Sequence, residues 1–286
     1  SNDGRENIVD DYCALLAATE LHAATQEARY LERARQRAAS LAARVSSNDR
    51  WRGWLRADDK GERPFFHASD EGLPAAALMR YAEIESDETC RHGARETVRQ
   101  WIEFQLALMD EVPNPFRYAR QLVKRFSERD FQTAFFMPHD NETRYWWQGE
   151  NARIASIAVS FLWARERLAS HVGADTAARL LAAAQSQLDW ILGLNPFDSC
   201  LLHGRGRNNR EYAINIPNAP GGIYNGITAD PDNERDIAFL NGPHAAHPRF
   251  VWRWAEQWIP HAGWFLLAAT LLNRALDGPA AGPSGQ

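Results

Sequence analysis

Apolar positions recur at helical spacing through most of the chain. Over residues 8–24, Tyr12, Leu15, Leu16, Thr19 and Ala23 share a face, and Asp10 and Asp11 occupy the first turn, where the helix dipole favours negative charge. A second helix over residues 28–45 closes an antiparallel hairpin through a short turn near Gln26. Residues 48–67 show neither period and are rich in Trp, Arg, Asp, Gly and Pro, which predicts a structured loop. Ser69, Asp70 and Glu71 then precede Leu73 and Pro74, an N-cap followed by a first-turn proline, so a helix is expected over residues 71–84. Another covers residues 88–109 and stops at Pro113 and Pro115, because proline has no amide hydrogen and restrains the residue before it. A shorter helix is expected around residues 118–126, followed by a polar-aromatic segment over residues 137–151. Two strong helices, 150–171 and 175–192, end at Gly193 and Pro196.

Residues 194–248 lose all periodicity and are dominated by Gly, Asn, Pro and Asp. A loop of that length inside a globular chain is a functional segment or a disordered one. Phe197, Ile214, Ile216, Ile223, Tyr224, Ile227, Ile237 and Phe239 argue for order. The last helix, from Glu256 or Pro260 to Leu276, is apolar on nearly all sides and is expected to be buried. Seven or eight helices in sequential hairpins, with no convincing strand pair, predict an all-α fold. A toroid of hairpins, a simple bundle and a solenoid all satisfy that periodicity, and the long loop before the last helix favours the toroid.

Composition narrows the function. The chain has 286 residues, 45% apolar and 24% charged, enough to bury a core without disulfides or metal. No run approaches a membrane span, so no membrane partner is expected. The net charge of -5, with acidic and basic residues intermixed, lacks the footprint of a nucleic-acid binder. Cys13, Cys90 and Cys200 are isolated and odd in number, which predicts core thiols rather than a disulfide framework or a zinc site. The N-terminal residues are polar, with no basic stretch leading into an apolar one, so no leader segment is visible. Eleven tryptophans stand out, several beside Asn, Gln, Arg, Glu and His. Flat apolar rings next to polar groups suit stacking against sugars, although single tryptophans in large helical proteins are more often core.

Two constellations carry candidate chemistry. Glu256 stands among Trp252, Trp254 and Trp258, close to Arg253 and His261, at a loop-to-helix junction. A carboxyl walled by indoles loses solvation of its charged form, which keeps a proton available for a leaving oxygen. The competing reading is a helix N-terminal Glu stabilised by the dipole and Arg253. His261, next to Pro260, reads as a hydrogen-bonded site wall. The second constellation runs from Leu192 to Asp198 and on through His203, Arg205, Arg207, Asn209 and Arg210. Its glycines allow close backbone approach, and its Arg and Asn side chains offer planar donors for hydroxyls or a carboxylate. A P-loop pattern is absent. Asp230, Asp232, Glu234 and Asp236 alternate in the long loop, a spacing that can turn oxygens toward calcium. Arg235 and Asn241 break the EF-hand pattern, however. A solvated acidic loop capped by Arg235, or an Asp236 that faces the site, are the other readings.

These motifs, in this order, resemble glycoside hydrolase family nine, inverting cellulases and related exo-acting enzymes. Asp10-Asp11 with Ala14, Ala17, Ala18, Glu20, Leu21, Ala24, Thr25, Tyr30 and Leu31 is similar to that family's mid-domain hairpin. Tyr145, Trp146 and Trp147 with Asn151 look like its Trp- and Asn-bearing helix start. Ile191-Leu192-Gly193-Leu194-Asn195-Pro196 is close to its Leu-Gly-x-Asn-Pro signature, and Pro220-Gly221-Gly222 resembles the turn that follows. Glu256, three residues before Ile259, falls where the family carries its acid. Two departures stand out: the family's His-His-Arg cluster is missing, and Ala255 replaces the Asn that precedes the acid.

The resemblance implies an (α/α)6 toroid, of which residues 1–278 would be the C-terminal half and residues 279–286 a flexible tail. It implies hydrolysis of a β-linked glucan or amino-glucan oligosaccharide, no required cofactor, and export to a secreted or periplasmic location. Glu256 would be the general acid. His203, Arg205, Arg207, Asn209, Arg210, Tyr145, Trp146, Trp147, Trp252, Trp254 and His261 would bind substrate. Inversion needs a second carboxylate roughly 6.5–9.5 Å away. The family takes it from an Asp-Ala-Gly-Asp motif absent here, so an N-terminal half of the same enzyme is the expected partner, with Asp70, Glu71, Asp140 and Glu150 as local substitutes. The competing functions are a noncatalytic sugar-binding or scaffold remnant, and another helical-toroid enzyme such as an epimerase or polysaccharide lyase.

Overall fold

The computed structural model describes residues 6–60, 63–125, 127–141, 148–209, 218–240 and 248–277. The first hairpin pairs α1 (Ile8–Thr25) with α2 (Ala28–Ala43). Asn7 caps α1 by accepting from the Val9 N–H, while the Asp10 carboxylate accepts from the Asn7 N–H. Gln26 adopts a left-handed conformation at φ 60° and turns the chain at once into α2. The second hairpin joins α3 (Leu73–Ile84), with Pro74 in its first turn, to α4 (Glu88–Asp110), capped by Asp87. The third joins α5 (Asn151–Arg167) to α6 (Ala169–Leu192). After the long loop come α7 (Pro248–Ala255) and α8 (Ile259–Leu276).

Burial explains the layering. α5 is almost wholly buried, through Ile154, Ile157, Ala158 and Phe161. It packs against α3 on one side and α8 on the other, and α3 packs in turn against α1. Behind this inner row α2, α4 and α6 form an outer row whose far faces are wet. Gly72 permits the closest approach: a Cβ there would lie 2.1 Å from the Ser156 carbonyl oxygen. Its amide and carbonyl bond the Ser156 and Ser160 hydroxyls instead. The result is the all-α row of toroid-type hairpins expected from the periodicity. The inner faces of α1, α3, α5 and α8 border a groove of about 400 Å³, lined in part by Leu16, Leu73, Ala76, Trp163, Trp264 and Leu267.

Several elements differ from expectation. The segment expected to be a helix over residues 118–126 instead supplies a strand. Arg117 turns the chain at φ 50°, and the Ala119 amide is taken by the Gln187 side chain. The expected loop over residues 48–67 is structured, and its start pairs in an antiparallel hairpin of β1 (Val45–Ser47) with β2 (Arg52–Leu55). Strand β3 (Gln121–Val123) pairs with β4 (Gln132–Ala134), and β5 (Thr228–Ala229) with β6 (Ile237–Ala238). The long loop is ordered where its apolar side chains sink: Ile223, Tyr224, Ile227 and Phe239 are all buried. Ile214 and Ile216 lie outside the described residues. The helix expected over residues 150–171 breaks at Leu168, and α6 then carries a kink at Gly173. Cys200 is buried as expected, but Cys13 is exposed, and Cys90 is half-buried at the edge of the core. Nor is α8 buried: Ile259 is 89% exposed and Leu266 69%, since α5 and α6 cover only part of its surface.

Candidate active site

The N-terminal ends of α3, α5 and α8 come together. The Trp264 indole N–H of α8 donates to Asp70, just before α3, at 3.3 Å, and Arg153 in the first turn of α5 reaches Glu71 at 3.0 Å. Glu256 lies against this rim in the short link between α7 and α8 and is half-buried. Its backbone is fixed from both sides. The Glu256 amide donates to Trp252 at 3.2 Å, closing α7, and its carbonyl accepts from Asn225 at 2.8 Å. Trp254 and Arg253 carbonyls accept from Gly226 and Gly149, each at 2.8 Å. Asn225 adds a side-chain bond to the Trp252 carbonyl at 2.9 Å, and Asn218 one to Ala255 at 2.9 Å.

Glycine is required where these backbones meet. A Cβ on Gly149 would sit 2.3 Å from the Asn225 carbonyl carbon, and one on Gly226, at φ +105°, would strike the Asn151 side chain. Asn151 itself donates its amide to Asn225 and its side chain to Tyr224. Pressed into this junction, His261 is fully buried with neither ring nitrogen at hydrogen-bond geometry, and burial lowers its pKa to about 4, opposed in part by the nearby Trp258 and Gly149 backbone. Gln148 is buried with both amide atoms unpartnered, and the side-chain oxygens of Asn218 and Asn225 are buried and unpartnered too. Unsatisfied polar atoms this close together suit a junction that meets a polar ligand.

Beneath the rim lies a buried charge triad. Arg153 is 0% exposed and donates to Glu150 at 2.7 Å, to Glu71 at 3.0 Å and to the Ala119 carbonyl at 2.5 Å. Glu150 also accepts from Tyr118, Gln121 and the Met137 amide, and Glu71 from Gln105. Burial pushes the Glu71 carboxyl up, against the pull of Arg153. Glu71 and Glu150 therefore hold the starts of α3 and α5 rather than facing a substrate, which removes them as substitute bases. Asp140 accepts from the Ser127 amide and hydroxyl.

The expected binding residues separate into groups. His203 reaches the site: its Nδ1 is 3.3 Å from the Gln257 amide nitrogen, next to Glu256, and its ring leans on Tyr224. Trp252 is half-buried with the Arg253 guanidinium 4.4 Å from its ring centre. Trp254 is different. It is fully buried with its indole N–H on Thr228 at 2.8 Å, so it is a core side chain and not a sugar platform. Asn209 is also committed elsewhere, its amide bonding the Gly204 amide and the Cys200 and Leu202 carbonyls to hold its own loop. Arg205 is exposed, and Arg207 is exposed and paired with Asp198 at 2.6 Å. Tyr145, Trp146, Trp147 and Arg210 lie outside the described residues.

The acidic loop is organised by its own hydrogen bonds. Asp230 accepts from the Asp232 and Asn233 amides, Asp236 from the Asn233 side chain, and Glu234 turns away to Arg125 at 2.6 Å and the His139 and Asp140 amides. The four carboxylates thus do not converge as a calcium loop requires, and among the described residues no three His, Cys, Asp or Glu side chains are grouped to hold a metal ion.

Sequence reasoning overlooked Gln148, Gly149, Asn218 and Asn225. The one local signal was the Asn225-Gly226 pair inside the aperiodic loop, a turn-forming dipeptide. The family model described as Glycosyl hydrolase family 9 matches residues 5–217, a stretch that ends before Glu256. No curated protein matches the chain. With the matched stretch covering well over half of the sequence and the helical hairpins in place, the chain belongs to glycosyl hydrolase family 9, glycoside hydrolases of the cellulase kind with an (α/α)6 barrel.

Proposed function

We propose that this chain carries the proton-donating side of an inverting hydrolase of β-linked glucan or amino-glucan oligosaccharides, with Glu256 as general acid. The observation that carries this reading is the anchoring of the Glu256 backbone to the start of α5 through Asn225, with Gly149 holding the preceding Arg253 carbonyl and Glu256 itself half-buried. A general acid must be held within reach of one leaving oxygen, and a backbone bonded on both sides does that. In the reaction Glu256 gives its proton to the departing glycosidic oxygen while a second carboxylate takes one from the water attacking the opposite face of the sugar. His203 and Trp252 would flank the sugar.

The base belongs outside this stretch of chain. Glu71 and Glu150 are buried and share the one counter-charge of Arg153, and Asp70 accepts from Trp264. An N-terminal half of the same domain, laid against the groove between α1 and α8, would bring it. In the full-length enzyme Glu256→Gln lowers kcat by about 100-fold or more, with product released as the inverted anomer by NMR. Turnover within about tenfold of the unaltered enzyme removes Glu256 as the acid. Binding of oligosaccharide with no hydrolysis in the assembled enzyme favours the noncatalytic reading instead.

A further inference from the structure

The outer face of α4 carries a second cavity, remote in sequence from Glu256. It is an open groove of about 500 Å³ between α4 and the β1–β2 hairpin, within the roughly 300–1,000 Å³ usual for small-ligand sites. Trp51 and Phe104 supply its aromatic surface; Arg52, Gln100 and Glu103 supply its polar one. The hairpin is pressed onto the helix because residue 53 is glycine at φ +81°, where a Cβ would lie 2.5 Å from the Gln100 carbonyl oxygen.

The Trp51 ring is held in one orientation. Its indole N–H donates to Glu111 at 3.2 Å, the Arg50 guanidinium lies 4.6 Å from its ring centre, and Arg50 bonds the same carboxylate at 2.9 Å. Glu111 is fixed in turn by Arg120 and Thr133, each at 2.6 Å. Trp51 also packs at the edge of the cluster formed by Trp54, Phe104, Leu108 and Leu122, yet stays half-exposed. Arg52 is exposed and makes no ion pair among the described residues, leaving its planar donor array for a ligand.

We infer that this cavity is a second carbohydrate-binding site, taking pyranose units of a glucan or amino-glucan chain by stacking on Trp51 and by hydrogen bonds to Arg52 and Gln100. A ring fixed by its own hydrogen bond loses little freedom on stacking, and guanidinium, amide and carboxylate groups around it match the alternating donors and acceptors of sugar hydroxyls. The site rests on membership of a carbohydrate-cleaving family and not on the role of Glu256. It would hold a long substrate chain on the outer face of the domain while another part of the same chain is cut.

The test is a titration of the chain with cellohexaose and, separately, hexa-N-acetylchitohexaose, following the Trp51 indole N–H resonance by NMR, assigned through Trp51→Phe. The expected result is a saturable shift of that resonance with one of the two sugars, retained in Glu256→Gln. Arg52→Ala, which breaks no ion pair among the described residues, and Trp51→Ala should each weaken the binding by about fivefold or more, with the far-ultraviolet circular dichroism unchanged. An unshifted Trp51 resonance with both sugars, or equal affinity in Arg52→Ala and Trp51→Ala, overturns the site. Loss of hydrolysis in Glu256→Gln, or its persistence, leaves this outcome untouched, so the two readings fail separately.

Discussion

The Asn225 amide donates to the Glu256 carbonyl at 2.8 Å, and the Asn225 carbonyl accepts from the Asn151 amide at 3.0 Å. One loop residue therefore ties the first turn of α5 to the link that holds Glu256. Any sideways play of that link must stretch both bonds, and the N-terminal end of α5 is fixed in the most buried part of the core.

Asn225→Ala keeps both backbone bonds but removes the side-chain bond to the Trp252 carbonyl, which closes α7. Stability is expected to fall by about 1–2 kcal/mol in urea unfolding, as for one lost buried hydrogen bond. If Glu256 is the acid, kcat of the full-length enzyme falls further than stability explains while KM moves little. Proportional loss of folded protein and activity would reduce Asn225 to a purely structural role.

Arg153 is the sole cation in contact with the buried carboxylates of Glu71 and Glu150 among the described residues. Arg153→Met leaves both without a counter-charge, and removing one partner of a buried ion pair costs about 3–5 kcal/mol. Adding Glu71→Gln should recover part of that loss, because one of the two stranded charges disappears. A double variant no more stable than the single one would show that packing, not charge, dominates there.

His261 gives the fold a pH dependence with a defined sign. Its pKa is about 4 in the folded chain, against about 6.5 unfolded, so between those values the unfolded chain binds more protons. Stability contributed by the neutral ring is therefore full above about pH 6.5 and lost as pH falls toward 4, by up to about 3 kcal/mol. His261→Gln should flatten the unfolding free energy across that window, and an unchanged slope would rule His261 out as its source.

The long helices were legible because their signal is local. A buried stripe repeats every three or four residues, and the acidic first turn of Asp10 and Asp11 acts on the dipole of its own helix end. The strands were not legible in the same way. β3 is three residues whose amides find partners only across the chain in β4, so its helix-like run of apolar residues misled. The site divides similarly. Glu256 stood out beside its tryptophans, but Trp252 and Trp254, two residues apart, differ in burial because that spacing puts them on nearly opposite faces of α7 and turns Trp254 inward to Thr228.

By itself, the sequence determined the class of fold, the order of the hairpins and a family-like order of motifs, since periodicity, caps and Gly-Pro stops depend on neighbours within a few residues. The tertiary structure alone decided which carboxylates are spent on structure, which indoles are core and where Glu256 is anchored. Glu71, Arg153 and Glu150 come from two separate helix starts, and Gly149, Asn225 and Glu256 from three distant segments. Burial and hydrogen bonding between such segments have no period along the chain, and no local pattern could have revealed them.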